Sequence, residues 1–418
     1  MTSRPQFTKV QRIVLVVAWL GWVFDVMDTA LFNFAKGPMI SEMVGSTQYK
    51  AIGPQIEGKI QTWFLVGWAL GGLIFGILAD RWGRTRTLIV TILMYCVLTG
   101  ATALCRTPEQ VMAARFLTAL GIGGEWAAGA ALIAESLPDD LRAFAASFLQ
   151  SAAAVGPVLA ALANLGLAGS SWRTLFLVGI APAFLCVLIR THVPEPPTTA
   201  RMKPQGSPLG MLAELFQDRV LRRNTLVAMA LGVVGVTGAG VIPFWIPNLV
   251  RQGSAGMSLT QISTRTSVAT MVIHIGTLLG VFVFPWLAQR IGRKLSFGVF
   301  FVMSPLTVLL ALYGGAEYSR LLLLLPVSTF FSIGVSAGFV LYFPELFPTH
   351  LRATGSGLAY NVGRVISAPI PWLTGIIIAA FGGSVVAGVL IAVSIYILGL
   401  IALPFAPETQ GKPLPNDP

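Results

Sequence analysis

The chain has 418 residues, 55% of them hydrophobic and only 11% charged. Water-soluble domains carry about 25% charged residues, so this composition excludes an ordinary soluble enzyme or binding module and requires a surface that faces lipid. The net charge of +11 does not indicate a nucleic-acid partner, because the basic residues fall between apolar segments, as they do in the cytoplasmic loops of membrane proteins.

A spanning helix needs about 20 mostly apolar residues. Arg4, Lys9 and Arg12 precede an apolar run longer than a signal-peptide core, with no small-residue cleavage site after it. The run therefore predicts a first spanning helix over 13–35. Five more spans follow at 60–80, 87–105, 110–134, 142–167 and 172–190. The polar stretch 191–223, with Pro194, Pro196, Pro197, Arg201, Lys203 and Pro204, reads as a cytoplasmic linker, and Met211–Arg223 within it as an amphipathic helix on the membrane surface. Six further spans come at 224–250, 262–288, 295–313, 320–343, 353–379 and 383–405. Cys96, Cys105 and Cys186 lie in or beside apolar segments, without disulfide or metal spacing. They read as packing residues. No nucleotide loop, metal cluster or nucleophile–base pair is visible, so no enzymatic activity, cofactor or metal is expected.

An internal repeat organises the chain. Leu-Ala-Asp-Arg-Trp-Gly-Arg at 78–84 returns as Leu-Ala-Gln-Arg-Ile-Gly-Arg at 287–293, 209 positions later. Glu-Ser-Leu-Pro-Asp-Asp-Leu-Arg-Ala at 135–143 returns as Glu-Leu-Phe-Pro-Thr-His-Leu-Arg-Ala at 345–353, an offset of 210. Pro194-Glu195 returns as Pro407-Glu408, an offset of 213. The expected architecture is an all-α membrane protein of twelve transmembrane helices in two pseudo-symmetric six-helix bundles, 1–190 and 224–418, joined by 191–223. With the N-terminus inside, cytoplasmic segments hold 18 of the 28 basic residues, outer segments hold 8, and Arg115 and Arg364 lie within spans. The bias puts both termini in the cytoplasm. An even number of spans per half makes the repeat parallel.

Gly76-Ile-Leu-Ala-Asp80-Arg-Trp-Gly83-Arg84 resembles the loop motif between helices 2 and 3 of the major facilitator superfamily, and Arg115-Phe-Leu-Thr-Ala-Leu-Gly121-Ile-Gly123-Gly124 its helix 4 motif. Pro194-Glu195 and Pro407-Glu408-Thr409-Gln410-Gly411 resemble the endings of the two halves in its sugar-porter branch. Gly121-Ile-Gly-Gly-Glu125-Trp126, with Glu345-Leu-Phe-Pro348 and Arg352, is most similar to the metabolite/proton and sialate or lactate/proton symporters. Two departures stand out. Gln289 occupies a usual Asp position, which predicts a weaker charge network in the second half. Helix 7 lacks the paired glutamines of hexose porters. Independently of the resemblance, Asp80, Arg81 and Arg84, with Glu135 and Arg142, can pair across helix ends and latch one conformation. Arg290, Arg293, Glu345 and Arg352 are the second-half counterparts.

Ionisable residues inside spans are costly and usually functional. Here they are Asp25, Asp28, Arg115, Glu125, His274 and Arg364. Helical rise puts Asp28 about 7 Å and Arg115 about 8 Å inside the outer edge of the hydrocarbon, level with each other and opposite in sign. Phe24-Asp25-Val26-Met27-Asp28-Thr29 is similar to the helix 1 motif of proton-coupled sugar porters. That resemblance implies that Asp28 binds the proton and that Arg115 is its partner; the alternative is a static ion pair that holds helices 1 and 4 together. Asp25, one turn away, and Glu125, after a glycine cluster on helix 4, are further proton-coupling candidates; each can instead be a packing partner. Arg364 and His274 lie near the midplane, where transporter substrates bind. A guanidinium there suits a carboxylate, whose two oxygens match its fork, and the second half offers no acid at that depth. The alternative for Arg364 is a pair with Asp25, Asp28 or Glu125 of the first half; for His274 the favoured reading is a neutral ring bonded to backbone or a hydroxyl. Tyr360, Asn361 and Gln150 complete the expected substrate-binding set. The expectation is a monomeric, proton-coupled symporter of a small organic anion, a monocarboxylate or acidic sugar, in the inner cell membrane, working by alternating access. The alternatives are uptake of a neutral sugar or polyol, and drug/proton antiport.

Overall fold

A computed structural model of the chain describes residues 8–136, 148–192, 208–348, 351–412 and 415, without the side chains of 80, 126–136, 187, 190, 191, 208, 209 and 353. All regular elements among them are helical. Ten helical stretches of the described residues are long and apolar enough to cross a membrane, and Trp172–Cys186 is a shorter apolar one.

The chain divides into two compact units, Met1–Met202 with Ser258–Ser267, and Lys203–Met257 with Val268–Pro418. The first contains α1 (Lys9–Val44), α2 (Ser46–Trp82), α3 (Arg84–Thr102), α4 (Pro108–Ser136), α5 (Ala152–Gly166), α6 (Trp172–Val178) and α7 (Phe184–His192). Its core joins Val14, Phe64, Leu88, Ile92, Tyr95, Ile122 and Leu185. In that unit α2 packs along α4, and α1 along α5. Both contacts are close because glycines remove side chains at the crossing points. A Cβ on Gly71 would lie 2.1 Å from the Leu120 carbonyl oxygen, and one on Gly123 2.1 Å from that of Trp68. In membranes small residues at such crossings let backbones approach.

The second unit begins with α8 (Pro208–Gln217) and α9 (Arg219–Gln252). It continues through α10 (Leu259–Ile291), α11 (Arg293–Leu312), α12 (Tyr318–Ser332), α13 (Ser336–Tyr342), α14 (Arg352–Ser367), α15 (Ile370–Ala380), α16 (Val385–Ala392) and α17 (Tyr396–Ala402). The first turns of α10 belong to the first unit. Phe284, Phe297, Phe300, Phe301, Tyr342 and Tyr396 are fully buried in its core, with Phe284 and Phe300 ring centres 4.9 Å apart.

Several boundaries differ from the hydropathy reading. The apolar run 13–35 sits in a helix that continues to Val44 and takes Lys36 with it, fully buried rather than in an outer loop. The expected surface helix Met211–Arg223 stops at Gln217. Asp218 then caps the next helix, accepting the backbone N–H of Val220 at 2.7 Å and of Leu221 at 2.9 Å. Arg219, Arg222 and Arg223 therefore begin the spanning helix α9. The predicted spans 172–190, 320–343, 353–379 and 383–405 are each interrupted by a short turn or 3-10 segment. Pro182 and Pro369 fall at two of these interruptions, where a missing N–H disfavours continuous α-helix. Residues 142–147 of the fifth span lie outside the described residues.

Candidate functional site

Among the described residues of the first unit, ionisable side chains form three buried sets. Arg115 Nη1 donates to Asp28 Oδ2 at 2.6 Å, and the Thr99 hydroxyl donates to Asp28 Oδ1 at 2.6 Å. The pair is sealed, with 0% of the arginine and 2% of the aspartate side chain exposed. The guanidinium carbon lies 4.4 Å from the Phe64 ring centre and 5.0 Å from that of Phe32. Arg115 Nε and Nη2 have no hydrogen-bond acceptor among the described residues. Thus Asp28, Arg115 and Thr99 tie α1, α4 and α3 at one level. Thr99 is a participant that hydropathy reading passes over, because an isolated threonine in a span carries no signal.

One turn along α1, Asp25 is fully buried, near Glu125 of α4. Glu125 is 4% exposed. The approach is possible because α1 carries Gly21, where a Cβ would collide with Glu125 Oε1. An ionised carboxylate only accepts hydrogen bonds, so two carboxyls can bond only if one holds a proton. Tyr95 on α3 lies close to both. A third buried set joins α1 to α2. Lys36 Nζ is 3.2 Å from Glu57 Oε2, both fully buried, and the Tyr49 hydroxyl donates to Glu57 Oε1 at 2.5 Å. Gln150 is half-buried beside Ser151, whose hydroxyl accepts the Trp19 indole N–H at 3.0 Å.

In the second unit Arg364 is 5% exposed, with its guanidinium 5.0 Å from the Tyr360 ring centre one turn back on α14. The preceding residue, Gly363, meets the backbone of Gly232 on α9; a Cβ there would lie 2.7 Å from the Gly232 carbonyl carbon. A hydroxyl chain fixes the same crossing, with Thr237 donating to Ser367 at 2.8 Å and Ser367 to the Val233 carbonyl at 3.2 Å. Arg364 thus stands on a rigid helix contact, and Tyr360 and Asn361 are half-buried beside it in sequence. His274 is buried, and its Nδ1 lies 2.9 Å from the Thr270 carbonyl oxygen. Because a carbonyl only accepts, Nδ1 carries the hydrogen.

At one end of this unit Arg293 forms a two-bond pair with Glu345, Nη2 to Oε1 at 2.9 Å and Nε to Oε2 at 3.2 Å. The chain's ending straps onto it. Glu408 accepts the backbone N–H of Arg293 and of Lys294, each at 3.0 Å, capping α11 after Gly292, whose φ is +96°. The Thr409 hydroxyl donates to Glu345 at 2.5 Å and the Tyr342 hydroxyl to the Pro407 carbonyl at 2.6 Å. Gln289 joins through its backbone, accepting Gln410 Nε2 at 2.6 Å. Burial works to raise the Glu408 pKa, but the N–H groups of Gln410, Arg293, Lys294 and Thr409 outweigh it and hold the group below its ordinary value. Arg352 donates to the Pro344 carbonyl at 3.2 Å. Arg290, expected in this network, makes no ion pair among the described residues; its guanidinium lies 4.6 Å from the ring centre of Trp286, one turn back on its own helix. Of the first-half counterparts, Arg81 is exposed and Arg84 half-buried. The Asp80 and Glu135 side chains and Arg142 lie outside what is described.

Membrane-length helices enclosing buried ionisable pairs define a solute carrier rather than an enzyme. Residues 18–371 match the Major Facilitator Superfamily, and the chain belongs to it. It is 31% identical over 427 residues to a Cupriavidus pinatubonensis protein named "Probable 4-methylmuconolactone transporter", covering 97% of this chain and 92% of the relative. It is 29% identical over 420 residues to the cis,cis-muconate transport protein of Acinetobacter baylyi, covering 96% of each. Among solved structures, that of a D-xylose-proton symporter superposes with a TM-score of 0.75 at 19% identity, covering 97% of this chain and 100% of the other, a likeness of fold.

Proposed function

We propose that the protein is a proton-coupled symporter of a small organic anion, a carboxylate, working by alternating access. The observation that carries this reading is the pair of buried acidic sites on α1, Asp28 with Arg115 and Asp25 with Glu125. A buried carboxylate whose counter-charge withdraws is too costly to stay ionised and neutralises by taking a proton. Motion of Arg115 relative to Asp28 then couples proton uptake to conformation. The nearness of Asp25 and Glu125 supplies a second place where a proton is held between two acids. Arg364, almost fully buried on a rigid crossing, is assigned to the substrate carboxylate, which a guanidinium binds through two parallel hydrogen bonds. Relatives named for muconate and methylmuconolactone transport support an organic-acid substrate.

The test is uptake of labelled carboxylates into proteoliposomes with and without an inward proton gradient. Accumulation driven by the gradient is expected. Asp28→Asn should abolish accumulation while exchange between compartments of equal pH survives. Arg364→Lys should weaken binding, and Arg364→Gln should weaken it by at least roughly thirtyfold, the low end for truncating a buried charge pair. Accumulation by Asp28→Asn at the wild-type rate, or unchanged affinity in folded Arg364→Gln protein, overturns the corresponding assignment.

A further inference from the structure

The second unit carries a cationic groove away from the buried pairs. At the start of α9, Arg219, Arg222 and Arg223 stand at positions i, i+3 and i+4, which share one helix face. Further along α9 come Leu226, Val227 and Ala230, and from the last turns of the closing helical stretch come Ala402 and Phe405. Together these residues enclose a groove of about 660 Å³. From Arg219 to Ala230 the helix rises about 16 Å at 1.5 Å per residue, about half of the hydrocarbon thickness. The mouth is therefore triply cationic and the floor apolar.

Arg219, Arg222 and Arg223 are exposed, and Arg222 lies within electrostatic reach of Asp218. The nearest carboxylate in sequence, Asp218, is engaged with the N–H groups of Leu221 and Val220. Leu226 and Phe405 are 53% and 61% exposed. Side chains of that kind, at the level where α9 enters its apolar run, face lipid.

We propose that this groove binds an anionic phospholipid of the adjoining leaflet, with the phosphate on Arg219, Arg222 and Arg223 and one acyl chain along Leu226, Val227, Ala230, Ala402 and Phe405. A soluble phosphate would satisfy the mouth and leave the floor empty. A lipid without net charge would leave all of the cationic excess uncompensated, whereas an anionic one reduces it. The vertical order, charge at the end of the span and apolar wall below it, is that of a phospholipid. Basic residues at an anionic membrane surface each strengthen binding about fivefold, so loss of all three should weaken it by well over tenfold.

The experiment uses the purified full chain in mild detergent, with bound lipid counted by native mass spectrometry after titration with phosphatidylglycerol or phosphatidylcholine. Phosphatidylglycerol should be retained in preference to phosphatidylcholine. Arg219→Gln/Arg222→Gln/Arg223→Gln should lower its retention at least tenfold. Lys50→Gln/Lys59→Gln/Arg106→Gln, which removes as much charge from exposed positions elsewhere, should retain it. Ala230→Trp keeps every charge but fills the floor, and it too should lower phosphatidylglycerol retention. If the groove triple does not fold, Arg222→Gln and Ala230→Trp decide singly. Equal retention in the groove variants and wild type, or equal loss in the remote triple, overturns the proposal. So does displacement of phosphatidylglycerol by inorganic phosphate at the same concentration, which would make the site one for a free anion.

Discussion

Replacing Asp28 by Asn keeps the shape of the side chain and removes its charge. The amide oxygen can still accept the Thr99 hydroxyl, now 2.6 Å from Asp28 Oδ1. What is lost is the counter-charge of Arg115, a side chain with 0% exposure whose Nε and Nη2 already have no acceptor among the described residues. The faces of Phe64 and Phe32 would be left to stabilise the guanidinium, worth about 2 kcal/mol when desolvated. Breaking a buried ion pair by removing one partner costs about 3–5 kcal/mol, because the other charge stays behind. Asp28→Asn should therefore destabilise the first unit by about 3 kcal/mol or more. Arg115→Met should do the same by leaving the carboxylate with Thr99 alone. In the double variant neither charge is stranded, so it should lose much less than the sum, with a coupling energy of about 3 kcal/mol, within the range seen for close charge pairs. Reversible unfolding of the four proteins in mixed micelles measures this cycle. A coupling energy below about 0.5 kcal/mol, the scatter expected of independent sites, would refute the reasoning.

Glu408→Ala should destabilise the second unit by about 0.5–2 kcal/mol, the worth of a helix N-cap. Because the folded pKa of Glu408 lies below its ordinary 4.5, its contribution is full above that value and is lost as pH falls through the folded value. Acidification below pH 4.5 should thus weaken the wild type in a way that a Glu408→Gln variant does not share, measured as unfolding midpoint against pH. Gly123→Ala forces a Cβ to 2.1 Å from the Trp68 oxygen and should cost about 1–3 kcal/mol by overpacking. Gly240→Ala, mid-helix with nothing within 4 Å, should be neutral or stabilise by up to about 1 kcal/mol; equal effects of the two in the same unfolding assay would contradict the close helix crossing. Cysteines at Gln48 and Gln205 should label from outside and inside respectively, and labelling of both from one face would rule out the expected orientation.

Hydropathy and repetition along the chain are sufficient for the membrane-spanning class, the two-fold internal repeat and the family, because a lipid-facing helix must be apolar over a set length whatever it packs against. The regular rise of a helix also makes depth legible, and so Asp28 and Arg115 can be matched in level from their positions along the chain. Depth says nothing of rotation about the helix axis. Which acid meets Arg115, and that Asp25 lies instead near Glu125, follows from where Gly21 lets α4 approach α1. Lys36, Glu57 and Tyr49 read as loop residues because they lie beyond the apolar runs; only packing beyond those runs, which supplies each with a partner, carries them into helices and buries two charges at 0% exposure. Arg290 repeats the position of Arg81 in the motif, yet it lies over Trp286, an aromatic with no counterpart there, since position 77 is Ile77. The bonds of Glu408 and Gln410 join residues more than a hundred positions apart in the chain, a closeness that only the folded bundle brings about, because it alone brings the open N–H groups at the start of α11 within reach of a carboxylate in the tail.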